Sequence, residues 1–225
     1  MRGRDAGKAR LRTAKGRRIA STRWLTRHLN DPYVQRAQKE GYRSRAAYKL
    51  LEIDQKHGLL KPGRRVLDLG SAPGGWLQVA ARHGAKVVGV DLTEVAPVGN
   101  AQVLQGDILD DATIATMIGL LGGKADVLLS DVAAASTGRR SVDRLRAEAI
   151  GEAVLALLPR TLAPGGSTVI KLVRGADTAL AAQARRQFDQ ARLFRPQATH
   201  RDSSEIYLIG TGYSPPVADQ DPAGA

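Results

Sequence analysis

Two kinds of hydrophobic spacing alternate along the chain after position 65. Short apolar runs rich in β-branched residues are typical of buried strands, and apolar residues that recur every three or four positions are typical of helices. The runs predict seven strands, at 65–69, 86–91, 101–105, 125–130, 167–173, 192–196 and 205–211. The helical spacing predicts five helices, at 44–57, 75–83, 111–121, 141–162 and 176–190.

This order of elements predicts an α/β fold in which helices cover both faces of a seven-stranded, mostly parallel sheet. The connection between the last two strands is too short for a parallel crossover, so these strands should pair antiparallel. Pro62-Gly63 marks a turn into the first strand, and Ala163-Pro164-Gly165-Gly166 marks a turn before the fifth.

The chain has 225 residues, of which 43% are hydrophobic, and this is enough to bury one core. We expect a basic, disordered tail at 1–20, a single domain at 21–213 and a flexible tail at 214–225. Within the domain, residues 21–64 form a basic helical part and residues 65–213 form the core. We expect a monomer.

Composition excludes several classes of protein. The chain has no cysteine, which excludes disulfides, thiolate metal sites and cysteine nucleophiles. Its apolar runs are shorter than the roughly 18 residues of a membrane span, and its first residues lack the apolar stretch of a signal peptide, so we expect a cytoplasmic protein without membrane contact. We expect no metal site, because the spacing of the four histidines does not fit ligation: His28, His57, His83 and His200.

Positive charge is concentrated in the first third of the chain. The net charge is +12, yet residues 1–65 hold 19 Lys and Arg against 5 Asp and Glu, and residues 66–225 hold 15 against 17. Tyr33, Tyr42 and Tyr48 are interleaved with the basic residues. Such a surface can hold phosphates and stack on unpaired bases, so it predicts an RNA partner. For residues 1–20 a solvated tail is the alternative.

A glycine-rich turn follows the first strand, where residues 68–76 read Asp-Leu-Gly-Ser-Ala-Pro-Gly-Gly-Trp. The missing Cβ atoms allow a ligand to approach the backbone. The spacing matches neither the dinucleotide fingerprint nor the phosphate loop, which argues against a nicotinamide-dependent oxidoreductase. Asp91 ends the second strand, where it can accept hydrogen bonds from ribose hydroxyls, and Asp107 follows the third. Ordinary turn or capping roles are the alternative for each aspartate.

Charged side chains also mark three other strand ends. Asp131 follows the fourth strand and Lys171 lies in the apolar fifth strand, where an unpaired lysine is unfavourable. An edge strand is the alternative, but a strand this apolar is typical of the centre of a sheet. Glu205 opens the antiparallel last strand and therefore lies at the same edge as the other strand ends. Helical spacing can direct Lys49 towards that edge.

Together these motifs resemble the FtsJ-like ribosomal RNA 2′-O-ribose methyltransferases over about residues 21–213, especially members that methylate a uridine of 23S ribosomal RNA on assembled large subunits. The motifs are Ser44 to Leu50, Gly70 to Trp76, Ser130-Asp131, Lys171 and Ser204 to Tyr207. The resemblance implies a Rossmann-like class I methyltransferase fold and S-adenosyl-L-methionine as cofactor. It implies a catalytic set of Lys49, Asp131, Lys171 and Glu205. It implies cofactor contacts at Gly74, Trp76, Asp91, Asp107 and Asp131.

Two segments depart from the family pattern. Many members have Pro-Asn soon after the position of Asp131, whereas residues 132–137 read Val-Ala-Ala-Ala-Ser-Thr. Residues 171–175 read Lys-Leu-Val-Arg-Gly in place of the more usual Lys-Val-Phe-Gln-Gly, so Val173 replaces an aromatic residue. Both changes concern contacts with RNA rather than the chemistry.

The composition favours an oxygen as methyl acceptor, since methylation at pyrimidine carbon 5 requires a cysteine and amino-methylation typically uses an Asn/Asp-Pro-Pro-aromatic loop. A ribose hydroxyl is a poor nucleophile, so we assign Lys171 as general base, with Lys49, Asp131 and Glu205 orienting. The alternative is that most of the rate acceleration comes from positioning the hydroxyl in line with the methyl group. Other functions left open are transfer RNA or cap methylation, and a non-catalytic ribosome-assembly factor.

Overall fold

The computed structural model describes residues 30–215, so the predictions for 1–20 and for most of the C-terminal tail lie outside the described residues. The helices are α1 (Pro32–Glu40), α2 (Ala46–His57), α3 (Gly75–Arg82), α4 (Asp111–Leu121), α5 (Arg140–Thr161) and α6 (Asp177–Ala184). The strands are β1 (Arg65–Leu69), β2 (Lys86–Asp91), β3 (Gln102–Gln105), β4 (Ala125–Ser130), β5 (Leu162–Val173), β6 (Phe188–Phe194) and β7 (Glu205–Tyr213).

The strands form one seven-stranded sheet in the order β3-β2-β1-β4-β5-β7-β6. Neighbours from β3 to β5 are parallel, while β7 is antiparallel to both β5 and β6. The predicted Rossmann-like α/β class and the antiparallel final pair are therefore confirmed. Strand β5 lies between β4 and β7, which confirms that Lys171 is on a central strand rather than at an edge.

Two apolar clusters on opposite faces of the sheet hold the helices in place. Ala47, Leu50 and Ile53 of α2 pack with α3 on one face. Helices α4, α5 and α6 pack on the other face. Within the described range no helix combines the length and the apolar character needed to cross a lipid bilayer.

The structure contains a helix before α2 that the periodicity did not predict. Helix α1 begins after Asp31, whose Oδ1 accepts a hydrogen bond from the Tyr33 main-chain N–H at 2.9 Å. Pro32 occupies its first turn, and Gly41, with φ of 75°, ends it. An aspartate cap followed by proline, with glycine at the end, is a helix signal that the sequence does carry.

The predictions of helix 176–190 and strand 192–196 were wrong at their shared boundary, because α6 ends at Ala184 and β6 already begins at Phe188. Phe188 pairs with Tyr213 of β7, and the two ring centroids lie 5.2 Å apart. Its ring also covers Gly210, where an added Cβ would lie 2.9 Å from it. Pairing with a strand distant in sequence therefore overrides local helix propensity.

Strand β5 also begins earlier than predicted, at residue 162 rather than 167. The pairing partner of Ala125 is Leu162, and that of Val127 is Ser167, so residues 163–166 bulge out of the ladder. Gly165, with φ of 75°, supplies the left-handed backbone conformation in this bulge. The predicted turn is thus an irregularity within a longer strand.

Candidate active site

The glycine-rich turn lies directly between the ends of β1 and β4. Gly70 has φ of 73°, and a Cβ at this position would lie 2.7 Å from Cγ2 of Val132. The main-chain N–H groups of Gly70 and Ser71 both donate to the Val90 carbonyl oxygen, at 2.9 and 3.0 Å. Only glycine fits this position without moving the loop after β4, and the turn leads into α3 at Gly75.

A cavity of about 670 Å³ lies at the carboxyl edge of the parallel strands, beside this turn. Three of the predicted cofactor residues, Asp91, Asp107 and Asp131, line it, together with apolar side chains such as Ile108 and Ile150. Cavities of this size that combine an apolar lining with a few polar groups are typical of cofactor sites. The topology thus brings together three carboxylates from three different strand ends.

Asp91 and Asp107 also serve the turns in which they occur. Asp91 accepts hydrogen bonds from the main-chain N–H groups of Ala72 and Thr93, at 2.9 and 2.8 Å, while Asp107 accepts one from Leu109 at 2.9 Å. Each oxygen of an ionised carboxylate has capacity for a second hydrogen bond. The turn role and a ligand-binding role are therefore compatible, and the turn bonds orient both carboxylates.

Gly74 and Trp76 are not among the residues that line this cavity. The Trp76 side chain is buried, its Nε1–H donates to the Ala46 carbonyl oxygen at 2.8 Å, and its ring centroid lies 5.8 Å from that of Tyr207. A Cβ on Gly74 would lie 2.7 Å from a guanidinium nitrogen of Arg43. A cofactor could therefore contact only the main chain of Gly74 and Trp76. The assignment of these two residues as cofactor contacts stays a prediction.

Asp68 is a further candidate that the sequence analysis left unassigned, although it stands in the motif. Its carboxyl group is fully buried in β1, and neither oxygen has a hydrogen-bond partner within residues 30–215. Burial raises the pKa of Asp68 well above its usual value, and the charges of Asp131 and Asp91 raise it further. Asp68 is not among the residues that line the cavity, although it lies in the strand that leads into the glycine turn.

The four predicted catalytic residues form two ion pairs. Lys49 Nζ lies 2.7 Å from Glu205 Oε2, and Lys171 Nζ lies 3.1 Å from Asp131 Oδ1. Lys171 Nζ also donates to the Asp131 carbonyl oxygen at 2.6 Å. Both lysine side chains are only 10% exposed. Helix α2, the end of β4, and strands β5 and β7 each contribute one residue, so the fold brings the whole predicted set together.

A second, smaller cavity of about 140 Å³ contains Lys171 and Glu205. Residues 132–135 line this cavity as well as the larger one, so the loop after β4 lies between them. Asp131, at the start of the loop, borders the larger cavity and pairs with the lysine of the smaller one. The arrangement can hold a cofactor on one side and an acceptor group beside Lys171 and Glu205 on the other.

Tyr207 connects the two ion pairs, and the sequence analysis did not assign it a role. Its hydroxyl donates to Asp131 Oδ1 at 3.0 Å, and its ring centroid lies 5.7 Å from Lys49 Nζ. Burial raises the pKa of Tyr207 well above its usual value, as do the charges of Asp131 and Glu205, so it remains a donor. Because side chains alternate along a strand, its position two residues after Glu205 was the available signal.

The loop that departs from the family pattern is held by Asp143 of α5. The Asp143 carboxylate accepts hydrogen bonds from the main-chain N–H and the hydroxyl of Thr137, both at 2.7 Å, and from the Ser136 hydroxyl at 2.9 Å. These bonds, the main-chain one foremost, lower the pKa of Asp143 to about 2. Val173, the other departure, lines the small cavity that this loop borders.

Two basic residues of the predicted RNA-binding part make contacts within the protein. Arg43 donates to the carbonyl oxygens of Pro73 and Ala96, at 3.1 and 2.7 Å, and so ties the start of the domain to the glycine turn. Arg45 pairs with Asp31.

Within residues 30–215 no group of three or more Asp, Glu or His side chains is arranged to hold a metal ion.

Comparison with known proteins agrees with this architecture. "Ribosomal RNA large subunit methyltransferase E" of Zymomonas mobilis is 49% identical over 210 residues, covering 92% of this chain and 95% of its own. The protein of the same name from Cereibacter sphaeroides is 47% identical over 224 residues, covering 94% and 92%. The crystal structure of a ribosomal RNA methyltransferase from Plasmodium falciparum superposes with a TM-score of 0.69 at 29% identity, covering 76% of this chain and 98% of that one.

The family-level match extends over most of the described fold. The pattern of the FtsJ-like methyltransferases covers residues 42–213, from just after α1 to the end of β7. This range contains both cavities and both lysine–carboxylate pairs. The chain therefore belongs to the FtsJ-like methyltransferase family.

Proposed function

We propose that the protein transfers a methyl group from S-adenosyl-L-methionine to the 2′-hydroxyl of a uridine ribose in 23S ribosomal RNA, on the assembled large subunit in the cytoplasm. The observation that carries this proposal is the pair of partly buried lysine–carboxylate contacts beside the loop that separates the two cavities. The names of the bacterial relatives support ribosomal RNA of the large subunit as the substrate.

The larger cavity fits the proposed cofactor. Both Asp91 and Asp107 line this cavity. Asp91 would accept hydrogen bonds from the two ribose hydroxyls of the cofactor, and Asp107 would accept one from its adenine. Gly70 lines the cavity, and its missing Cβ leaves the approach to the turn open. When bound, the cofactor supplies a methyl group made electrophilic by the sulfonium charge.

The chain's own residues then act on the acceptor hydroxyl in the smaller cavity. With its amine uncharged, Lys171 would accept the hydroxyl proton at Nζ; the oxygen would take the methyl group as the carbon–sulfur bond breaks and the sulfonium becomes a neutral thioether. The Asp131 carbonyl and carboxylate oxygens hold that nitrogen in place, and Tyr207 orients the carboxylate. Glu205 lines the same cavity and holds Lys49 by an ion pair. The nearly closed environment of both lysines keeps water from competing for the methyl group.

Methyl transfer from tritiated S-adenosylmethionine to large subunits from a deletion strain tests this proposal directly. We expect label in one ribose of the large-subunit RNA, mapped by resistance of the 3′-linked bond to alkaline hydrolysis. Label in a base, or label only in transfer RNA, would reject the substrate and acceptor proposed here. Cofactor binding without any transfer to RNA would instead favour a non-catalytic assembly factor.

A further inference from the structure

A groove of about 810 Å³ adjoins the small acceptor cavity and shares Ser136, Asp143 and Val173 with it. Its outer part has a different character from the two cavities described above, because three exposed arginines line it. Arg140 and Arg144 lie on the first turns of α5, and Arg174 follows β5. None of them belongs to the catalytic set or to the basic N-terminal part.

The fold places these three arginines with some precision. Arg140 and Arg144 are four residues apart and therefore lie on the same face of α5. The side chain of Arg144 lies against Gly175, where an added Cβ would be 3.0 Å from its Cδ. The main-chain N–H of Arg174 donates to the Ser204 carbonyl oxygen at 2.9 Å, which ties this residue to the segment before Glu205.

The guanidinium groups of this groove have donors to offer. Within residues 30–215 no carboxylate forms an ion pair with Arg140, Arg144 or Arg174. Two acidic residues, Asp143 and Asp202, line the groove. The carboxylate of Asp143 accepts three hydrogen bonds from the loop. The start of the 22-residue helix α5 adds a positive potential at the same place.

We infer that this groove binds the phosphodiester backbone of the RNA strand immediately next to the methylated nucleotide. The inference rests on the proposed function, since an RNA strand whose ribose enters the small cavity must continue into the adjoining space. Guanidinium groups match phosphate oxygens through two parallel hydrogen bonds, and the hydroxyls of Ser141 and Ser204 add further donors. The contact is with the backbone and is independent of base sequence.

The first test compares two double variants that remove the same charge. Arg144→Gln with Arg174→Gln alters the groove, whereas Arg185→Gln with Arg186→Gln alters exposed arginines between α6 and β6, at the opposite edge of the sheet. We expect the groove variant to bind large ribosomal subunits about tenfold more weakly, which corresponds to about 1.4 kcal/mol. The slope of the logarithm of its binding constant against the logarithm of salt concentration should become shallower by about 0.7 for each phosphate that the variant no longer binds.

Cofactor affinity, measured by calorimetry, should be the same for both double variants and the wild type. Equal affinity of the two double variants for the subunit would overturn the inference. If the wild type binds the subunit but methylates no ribose, the proposed function fails, and this comparison of affinities still decides whether the groove binds RNA.

The second test uses the absence of cysteine from the chain. A single cysteine at Ser141→Cys carries a benzophenone crosslinker into the groove, and Gly119→Cys carries it to open space on α4. We expect crosslinks from position 141 to lie within a few nucleotides of the methylated ribose, and crosslinks from position 119 to be absent there. Crosslinks from position 141 only to distant nucleotides, or none from an active protein, would contradict the inference.

Discussion

Replacing Lys171 in two ways separates proton acceptance from positioning. Lys171→Met keeps a long side chain but removes Nζ, and with it the contacts of 2.6 and 3.1 Å to Asp131. Lys171→Arg keeps the positive charge, but a guanidinium group stays protonated and cannot accept a proton. If Lys171 is the base, both variants lose activity; if it only positions the acceptor, Lys171→Arg retains a substantial part.

A general base contributes about 10²- to 10⁴-fold to the rate. At about 1.4 kcal/mol for each factor of ten, either variant should raise the activation barrier by about 2.8 to 5.6 kcal/mol. Asp131 keeps its 3.0 Å hydrogen bond from Tyr207 in both variants, so its carboxylate stays oriented towards the larger cavity. Cofactor affinity should therefore change little, and the loss should fall on kcat.

Single-turnover methyl transfer, with saturating cofactor and large subunits, is the appropriate assay. Lys124→Met is the matched control, since Lys124 Nζ also donates to a carbonyl oxygen, that of Pro159 at 2.6 Å, but at the opposite edge of the sheet. Near-normal turnover of Lys171→Arg, with loss in Lys171→Met, would refute the assignment of Lys171 as base.

Three further predictions concern the cofactor cavity, the buried acid and the N-terminal segment. Gly70→Ala should weaken cofactor binding about tenfold or more in calorimetry, because its Cβ would displace Val132; unchanged affinity would show that the loop can move without cost. Asp68→Asn should become more stable relative to the wild type as pH rises. In the wild type the folded pKa of Asp68 is raised, so the stability that the neutral acid contributes is complete below the unfolded pKa of about 4. The wild type loses this contribution as pH rises towards the folded pKa, whereas the asparagine variant does not titrate. Denaturant unfolding at pH 5 and pH 8 measures this difference, and a pH-independent difference would contradict it. Removing residues 1–20, with eight Lys and Arg against one Asp, should weaken RNA binding and its salt dependence while leaving cofactor affinity unchanged; equal loss of both would refute the separation.

The glycine turn and the strand-end aspartates could be predicted because their position depends on local rules. A run of β-branched residues marks a strand, the residue after it lies at the carboxyl edge of a parallel sheet, and β1, β2 and β4 all obey this rule. Asp91, Asp107 and Asp131 therefore line one cavity as expected. The boundary between α6 and β6 could not be predicted in this way, because Phe188 is held by Tyr213 and Gly210 of a later strand.

The roles of the basic residues also required the tertiary structure. The sequence does not distinguish Arg43 and Arg45 from arginines that bind phosphate. In the structure Arg43 donates to carbonyl oxygens and Arg45 pairs with Asp31. Arg144 and Arg174 received no role from the sequence, because residues 66–225 hold 15 Lys and Arg against 17 Asp and Glu and so carry no net positive charge. Only the folded chain shows that these two line one groove beside the acceptor cavity.

The sequence by itself determined the α/β class, the order of the elements and the separation of positive charge from the core. It also determined the presence of charged residues at strand ends: Asp91, Asp107, Asp131, Lys171 and Glu205. These features follow from local periodicity and from residue type. Only the tertiary structure decided which lysine pairs with which carboxylate, because Lys49 and Glu205 are 156 residues apart and Lys171 and Asp131 are 40 apart. Contacts over such separations depend on sheet order and register, which no local pattern contains.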